Sequence, residues 1–118
     1  MTLTTSTRRL DGVVVVVCSG KVVIGPESTS LRILVKESLN ESRQIVLDLG
    51  GVTYIDSTGL GALVSLYASA RNAGAEIKLA NLSPRLKDLL QITKLLTVFE
   101  VFDRAEDAAA AFSKGTSA

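Results

Sequence analysis

Six consecutive residues, Val13-Val14-Val15-Val16-Val17-Cys18, carry apolar side chains. Side chains along a strand point alternately to its two sides, so a strand with one wet face alternates apolar and polar. An unbroken apolar run needs cover on both faces instead. That requirement points to an inner strand of a sheet packed against helices. Asp11-Gly12 stands directly before the run, with Thr5 to Leu10 upstream. This pair is a two-residue hairpin signal, so the sheet gains an antiparallel edge.

Downstream, strand and helix signals alternate. Gly25-Pro26 breaks the chain, and Leu31, Leu34, Val35 and Leu39 follow at helical spacing, ending near Asn40. Gln44 to Leu49 reads as a strand, Gly50-Gly51 as a short turn, and Val52 to Ile55 as a second apolar touch. A helix then runs from Ser57 with Leu60, Leu63, Val64 and Tyr67 as its apolar stripe, and stops at Asn72-Ala73-Gly74. Ile77 to Ala80 is the next strand. Ser83-Pro84 starts a helix with a capping residue and a proline at the first position, and Leu86, Leu89 and Leu90 give it a face. Val98 to Phe102 reads as a short strand. Asp103 and Glu106 resemble a capping box ahead of Ala105, Ala108, Ala109 and Phe112, and Lys114 to Ala118 reads as a frayed tail.

The predicted order is β-β-α-β-α-β-α-β-α. It implies an α/β fold with a single mixed β-sheet packed against helices, its parallel strands joined by right-handed crossovers. A length of 118 residues with 47% hydrophobic content suits one domain over residues 1–118, with the ordered core at about 4–113.

Composition removes several functions. Thirteen basic residues against twelve acidic ones leave a net charge of +1, and aromatics make up 4%. Nucleic-acid binding calls for a clustered basic field and stacking surfaces, so it is not expected. The chain has no histidine and one cysteine. Most general-base and triad mechanisms are thereby lost, as is a zinc site; no catalytic residue, metal or cofactor is expected. Cys18 lies inside the valine run and reads as a buried small hydrophobe in a reducing, cytoplasmic setting. Arg8-Arg9 before the valine run invites a signal-peptide reading, but a strand fits the segment better. No stretch nears the roughly 20 apolar residues that span a bilayer, so direct membrane insertion is not expected.

The run Asp56-Ser57-Thr58-Gly59-Leu60-Gly61 sits at the junction between a strand and a helix that has no charged residue from Ser57 to Ala70. Phosphate-loop and dinucleotide patterns fail here: Gly20-Lys21 lacks a Walker frame, and Val64 stands where a third glycine belongs. A nucleophile elbow would need a glycine at position 55 and a histidine to activate Ser57. An aspartic-protease reading would need a second carboxylate from another copy. An N-terminal cap by Asp56 or Ser57 accounts for part of the motif. It does not account for Gly59 and Gly61 in the first turns, each costing about 0.5–1 kcal/mol relative to alanine. Nor does it account for the neutral face Thr58, Gly61 or Ala62, Ser65, Ser69 and Asn72, where a solvated helix normally carries Lys and Glu. A small, uncharged face allows close approach by another protein and is easily desolvated.

The stretch from Val46 through Asp48, Gly51 and Asp56 to Gly61 resembles the central motif of STAS domains, in particular the bacterial anti-sigma factor antagonists. The likeness extends to Ala80-Asn81-Leu82-Ser83-Pro84, to Leu95–Phe99 and to the closing helix. It departs at Val23, where the family commonly carries an acidic residue. The resemblance implies a non-enzymatic switch. Ser57 matches the serine phosphorylated by an anti-sigma factor that is itself a serine kinase, with Thr58 the alternative acceptor. The unphosphorylated protein sequesters that anti-sigma factor and releases a sigma factor for transcription; a phosphatase resets the cycle. Asp56, Ser57, Thr58, Gly59, Gly61, Ala62, Ser65 and Ser69 are the expected partner-binding residues. The alternative is a STAS subunit of a stressosome-like scaffold or of a membrane lipid-transport complex, with constitutive binding. Small-ligand binding at the loop is weaker, because few polar groups converge there.

Overall fold

The computed structural model describes residues 3–22 and 26–116, with side chains described over 4–21 and 31–112. The elements are β1 Leu3–Leu10, β2 Val13–Val22, α1 Pro26–Leu39, β3 Gln44–Ile55, α2 Ser57–Asn72, β4 Glu76–Ala80, α3 Pro84–Ile92, a 3-10 turn Leu95–Thr97, β5 Val101–Phe102 and α4 Ala105–Thr116. They build a single mixed sheet in the order β1-β2-β3-β4-β5. β1 runs antiparallel to β2, and the remaining neighbours are parallel.

The valine run is covered on both sides, as its composition demands. Val14, Val16 and Cys18 join the larger core with Leu31, Val35, Leu63, Leu66, Leu86 and Leu90. Val13 and Val15 face the other way, into a smaller core with Ala105, Ala108, Ala109 and Phe112 of α4. Each valine so buried contributes on the order of 1.5–3 kcal/mol relative to an exposed one. The hairpin before it turns through Asp11 at φ 51° and Gly12 at φ 83°. Two successive left-handed residues form the turn whose twist matches the flanking strands.

Four sequence expectations are corrected. Gly50-Gly51 is no turn: β3 runs unbroken from Gln44 to Ile55. The pairing register with β2 shifts between Val17 and Ser19 and again between Gly20 and Lys21, so β3 absorbs extra residues as bulges. A Cβ on Gly51 would lie 2.3 Å from Ser19 Oγ and 2.9 Å from Ser19 Cβ. This glycine therefore marks close strand approach inside a sheet. Second, β5 is shorter than Val98–Phe102. Val98 closes the 3-10 turn by donating its N–H to the Leu95 carbonyl at 3.0 Å, and bonding to β4 begins at Glu100. Third, α4 continues through Thr116 where a frayed tail was expected. Fourth, the helix begins at Ala105, one residue later than a cap at Asp103 would place it. The Arg104 carbonyl accepts from Ala108 N–H at 3.1 Å, and Arg104 pairs with Asp107 at 3.2 Å.

One charge is buried in the α4 layer. Lys78 on β4 is 4% exposed. Its ammonium donates to Glu76 at 2.9 Å and to Glu100, and lies 4.7 Å from the ring centre of Phe112. Burial works against the charge, but the bonds to Glu100 and Glu76 outweigh it and hold the lysine above its ordinary pKa. The Lys78 hydrogen bond in turn holds the Glu100 carboxyl below the usual carboxylate range.

Candidate functional site

β3 delivers the motif. Ile55, its last residue, is buried and anchors the strand end in the core. Asp56 follows in an extended conformation, and its Oδ1 accepts the Gly59 N–H at 2.8 Å while its carbonyl accepts the Leu60 N–H at 2.9 Å. Asp56 is thus the N-cap of α2, and Ser57 and Thr58 are its first two helical residues. Both are exposed. The Ser57 hydroxyl therefore stands in the open at a helix N-terminus, where a partial positive charge of about half a proton favours an added anion.

The helix lies differently on the sheet from the stripe read in the sequence. Its buried residues are Gly59, Ala62, Leu63, Leu66 and Ala70. Val64, expected inside, is 42% exposed, and Leu60 and Tyr67 are half-buried. In an uncharged helix two neighbouring stripes are nearly equal in hydropathy, so the 3.6-residue period alone does not choose between them. This rotation places Gly59 and Ala62 inside the monomer, away from the open face. Thr58, Gly61, Val64, Ala68 and Asn72 face outward, with Ser65 and Ser69 half-buried beside them. No charged side chain occurs until Arg71, whose Nη1 donates to the Tyr67 hydroxyl at 3.3 Å. At Gly61 an added Cβ would meet no atom within 4 Å. Val23 lies outside the described residues.

Two supporting features escaped the sequence reading. Asp48 sits buried within β3, and its Oδ1 accepts the Gly50 N–H at 3.0 Å and Asn81 Nδ2 at 3.2 Å. Asn81 holds a left-handed conformation, φ 66°, just after β4. The carboxylate thereby ties the bulged part of β3 to the loop leading to α3. A lone charge inside Ile45-Val46-Leu47-Asp48-Leu49 was its signal, since burying one requires partners. Cys18 is pushed up to about 12 by burial first and by the Asp48 charge second, which makes it an inert thiol. The other missed feature is a mainly apolar cleft of about 350 Å³ beside the motif, lined by Thr53, Tyr54, Ile55, Leu86, Leu89 and Ile92 together with Arg85 and Asp88. Tyr54 is 49% and Ile92 78% exposed. Ile92 gave a signal, an isoleucine on the last turn of a helix with no partner in the pattern.

Among the described residues no group of acidic or sulfur ligands could hold a metal, and no helix is long and apolar enough to cross a membrane. The exposed chemistry at the site is a pair of hydroxyls, one cap carboxylate and a neutral surface. Such an arrangement accepts a covalent charge or a protein partner.

A family model described as the STAS domain matches residues 4–108. The anti-sigma-B factor antagonist of Bacillus subtilis is 40% identical over 49% of this chain and 53% of its own length. That of Listeria monocytogenes is 40% identical over 57% of this chain and 63% of its own. The chain spans between half and two thirds of the length of these relatives. A solved anti-sigma factor antagonist from Mycobacterium paratuberculosis superposes with a TM-score of 0.79 over 92% of both chains at 24% identity, a likeness of fold.

Proposed function

The chain belongs to the STAS domain family, and on that premise we propose that it is an anti-sigma factor antagonist whose docking is switched by phosphorylation of Ser57. It acts in the cytoplasm by binding and not by catalysis. The unphosphorylated form captures an anti-sigma factor with serine-kinase activity, and the captured factor no longer holds its sigma factor. A phosphatase returns the phosphorylated protein to the unmodified, binding form. The observation that carries this reading is the exposed Ser57 at the first position of α2, beside an outward face without charge from Thr58 to Ala68. The docking surface consists of Asp56, Ser57, Thr58 and Gly61 with the rims of Ser65 and Ser69, continuing into the Tyr54–Ile92 cleft.

The physics of the switch is local. A phosphoryl group adds about −1.5 to −2 charges and three acceptor oxygens. Within the monomer the N-terminus of α2 favours it by about 0.3–1 kcal/mol, so the fold has no cause to change. A partner packed over the same point has to bury that charge, and Asp56 adds repulsion. An unpaired charge buried in an interface costs about 2–5 kcal/mol, which weakens binding about 30-fold to several thousand-fold.

The test uses the purified protein, ATP and each serine-kinase anti-sigma factor of the source cell. Intact mass should rise by about 80 Da, one phosphoryl group. Ser57→Ala should abolish the gain, and Thr58→Ala should leave it. Calorimetry should then show tight binding by the unmodified protein and weak binding by Ser57→Asp. A Ser57→Asp protein that binds at full strength, together with no mass change, overturns the proposal.

A further inference from the structure

The two edges of the sheet differ sharply. β5 ends one side with only two residues. β1 ends the other with eight, paired to β2 without a register shift and containing no proline. Long flat edges with unpaired backbone groups are templates for another strand, and proteins usually shorten, bulge or charge them. β1 has the charge guard alone, Arg8 and Arg9. Both are engaged within the chain: Arg8 pairs with Glu106 at 3.3 Å, and Arg9 pairs with Glu41.

The hairpin decides which backbone groups are free. In a two-residue hairpin the closing pair, here Leu10 and Val13, exchanges both backbone bonds. Counting back in twos, Leu10, Arg8, Ser6 and Thr4 aim their N–H and C=O groups at β2. Arg9, Thr7, Thr5 and Leu3 aim theirs outward. A second copy pairing antiparallel about a twofold axis has to match outward residues with outward residues. The axis must then pass through a residue and not between two.

Placing the axis at Arg8 or Arg9 sets arginines directly opposite each other, which is destabilising. Placing it at Ser6 pairs Thr5 with Thr7 twice, Ser6 with Ser6, and Thr4 with Arg8. The like charges are then staggered by four residues, twice the stagger of an axis at Thr7. Hydroxyl residues facing each other across a strand pair are a favourable combination.

We propose that β1 is a self-association edge, at which two copies join antiparallel about Ser6 into one continuous sheet. The seam consists of one strand per copy, less than the roughly 1,000 Å² of a stable interface, so the dimer is weak and concentration-dependent. β1 is two strands away from β3, the strand that leads into Ser57 at the start of α2, so each dimer presents two open docking faces. A partner that is itself paired would gain avidity from them without any new contact.

The test has three parts. Sedimentation velocity up to about 1 mM protein should show a monomer–dimer equilibrium, as weak interfaces give. Ser6→Cys should form a covalent dimer under mild oxidation, because a central non-bonded pair brings the two Cα atoms to about 4.5 Å, within disulfide reach. Thr4→Cys should not, since the proposed register places it opposite Arg8 and beyond the ~7 Å limit from its own copy. Thr5→Pro removes an outward N–H that β2 does not use and should abolish the dimer. If that variant does not fold, Thr5→Arg with Thr7→Arg sets cations opposite each other, at a half-buried and an exposed position, and should weaken association about tenfold. A monomer at every concentration, equal cross-linking of both cysteine variants, or a dimer that survives the edge variants overturns the proposal.

Discussion

Gly61 separates stability from docking in a single substitution. It lies on the outward side of α2, within a helix, with no positive φ and no atom within 4 Å of where a Cβ would be. Nothing inside the monomer requires a glycine there. Gly→Ala in a helix interior is worth about 0.5–1 kcal/mol through helix propensity. For a domain of this size each kcal/mol shifts the melting temperature by about 3–6 °C. Gly61→Ala should therefore melt about 2–6 °C above the parent, by circular dichroism at matched concentration. The binding effect should carry the opposite sign. If the partner packs against the bare backbone at Gly61, a methyl group has to be accommodated in a closed interface at about 1–3 kcal/mol, roughly 5- to 150-fold in affinity. Titration calorimetry against the anti-sigma factor measures this directly. A variant that melts lower than the parent refutes the geometry. One that melts higher yet binds equally well refutes the role given to this face.

Gly51→Ala should behave in the contrary way, losing about 1–3 kcal/mol to overpacking against Ser19; adding Ser19→Gly should recover part of the loss, and a parent-like melt for the single variant would exclude the clash. Asp56→Ala should destabilise by about 1 kcal/mol through loss of the cap on Gly59 N–H, and Asp56→Asn, which keeps an acceptor, by less. Glu100 is held below its ordinary value, so its contribution is complete above the usual carboxylate range and is lost as pH falls through the lowered value. Its carboxylate is 62% exposed, which keeps the effect small. Lys78 is held above its ordinary value, so its contribution persists below that value and fades only at strongly alkaline pH. Lys78→Met should flatten the decline in melting temperature between about pH 5 and pH 3; an unchanged acid limb would show that the bond to Glu100 contributes nothing.

Element order was legible because each signal was local. The valine run, the Asp11-Gly12 turn and the Ser83-Pro84 start each specify one element without reference to the others. What escaped depended on a second segment. Gly50-Gly51 looks like a turn until Ser19 on the neighbouring strand is brought against it. The rotation of α2 depends on which of two equally apolar stripes meets the sheet, and that put Ala62 and Gly59 inside. Asp48 shows its role only once Asn81 arrives from beyond β4. At the site, the exposed hydroxyls and the neutral surface could be read from residue types. Of the Tyr54–Ile92 cleft, Ile92 marked one wall alone, because the two walls are 38 residues apart.

β3 is twelve residues long and buried from Ile45 to Leu49, and two residues beyond its end stands the exposed Ser57. A hydroxyl mounted on such a beam has no hinge. Modification can alter what the surface repels but leaves its contour as cast. Information is then stored as charge on a fixed stamp, and the speed of signalling belongs to the enzymes that write and erase it.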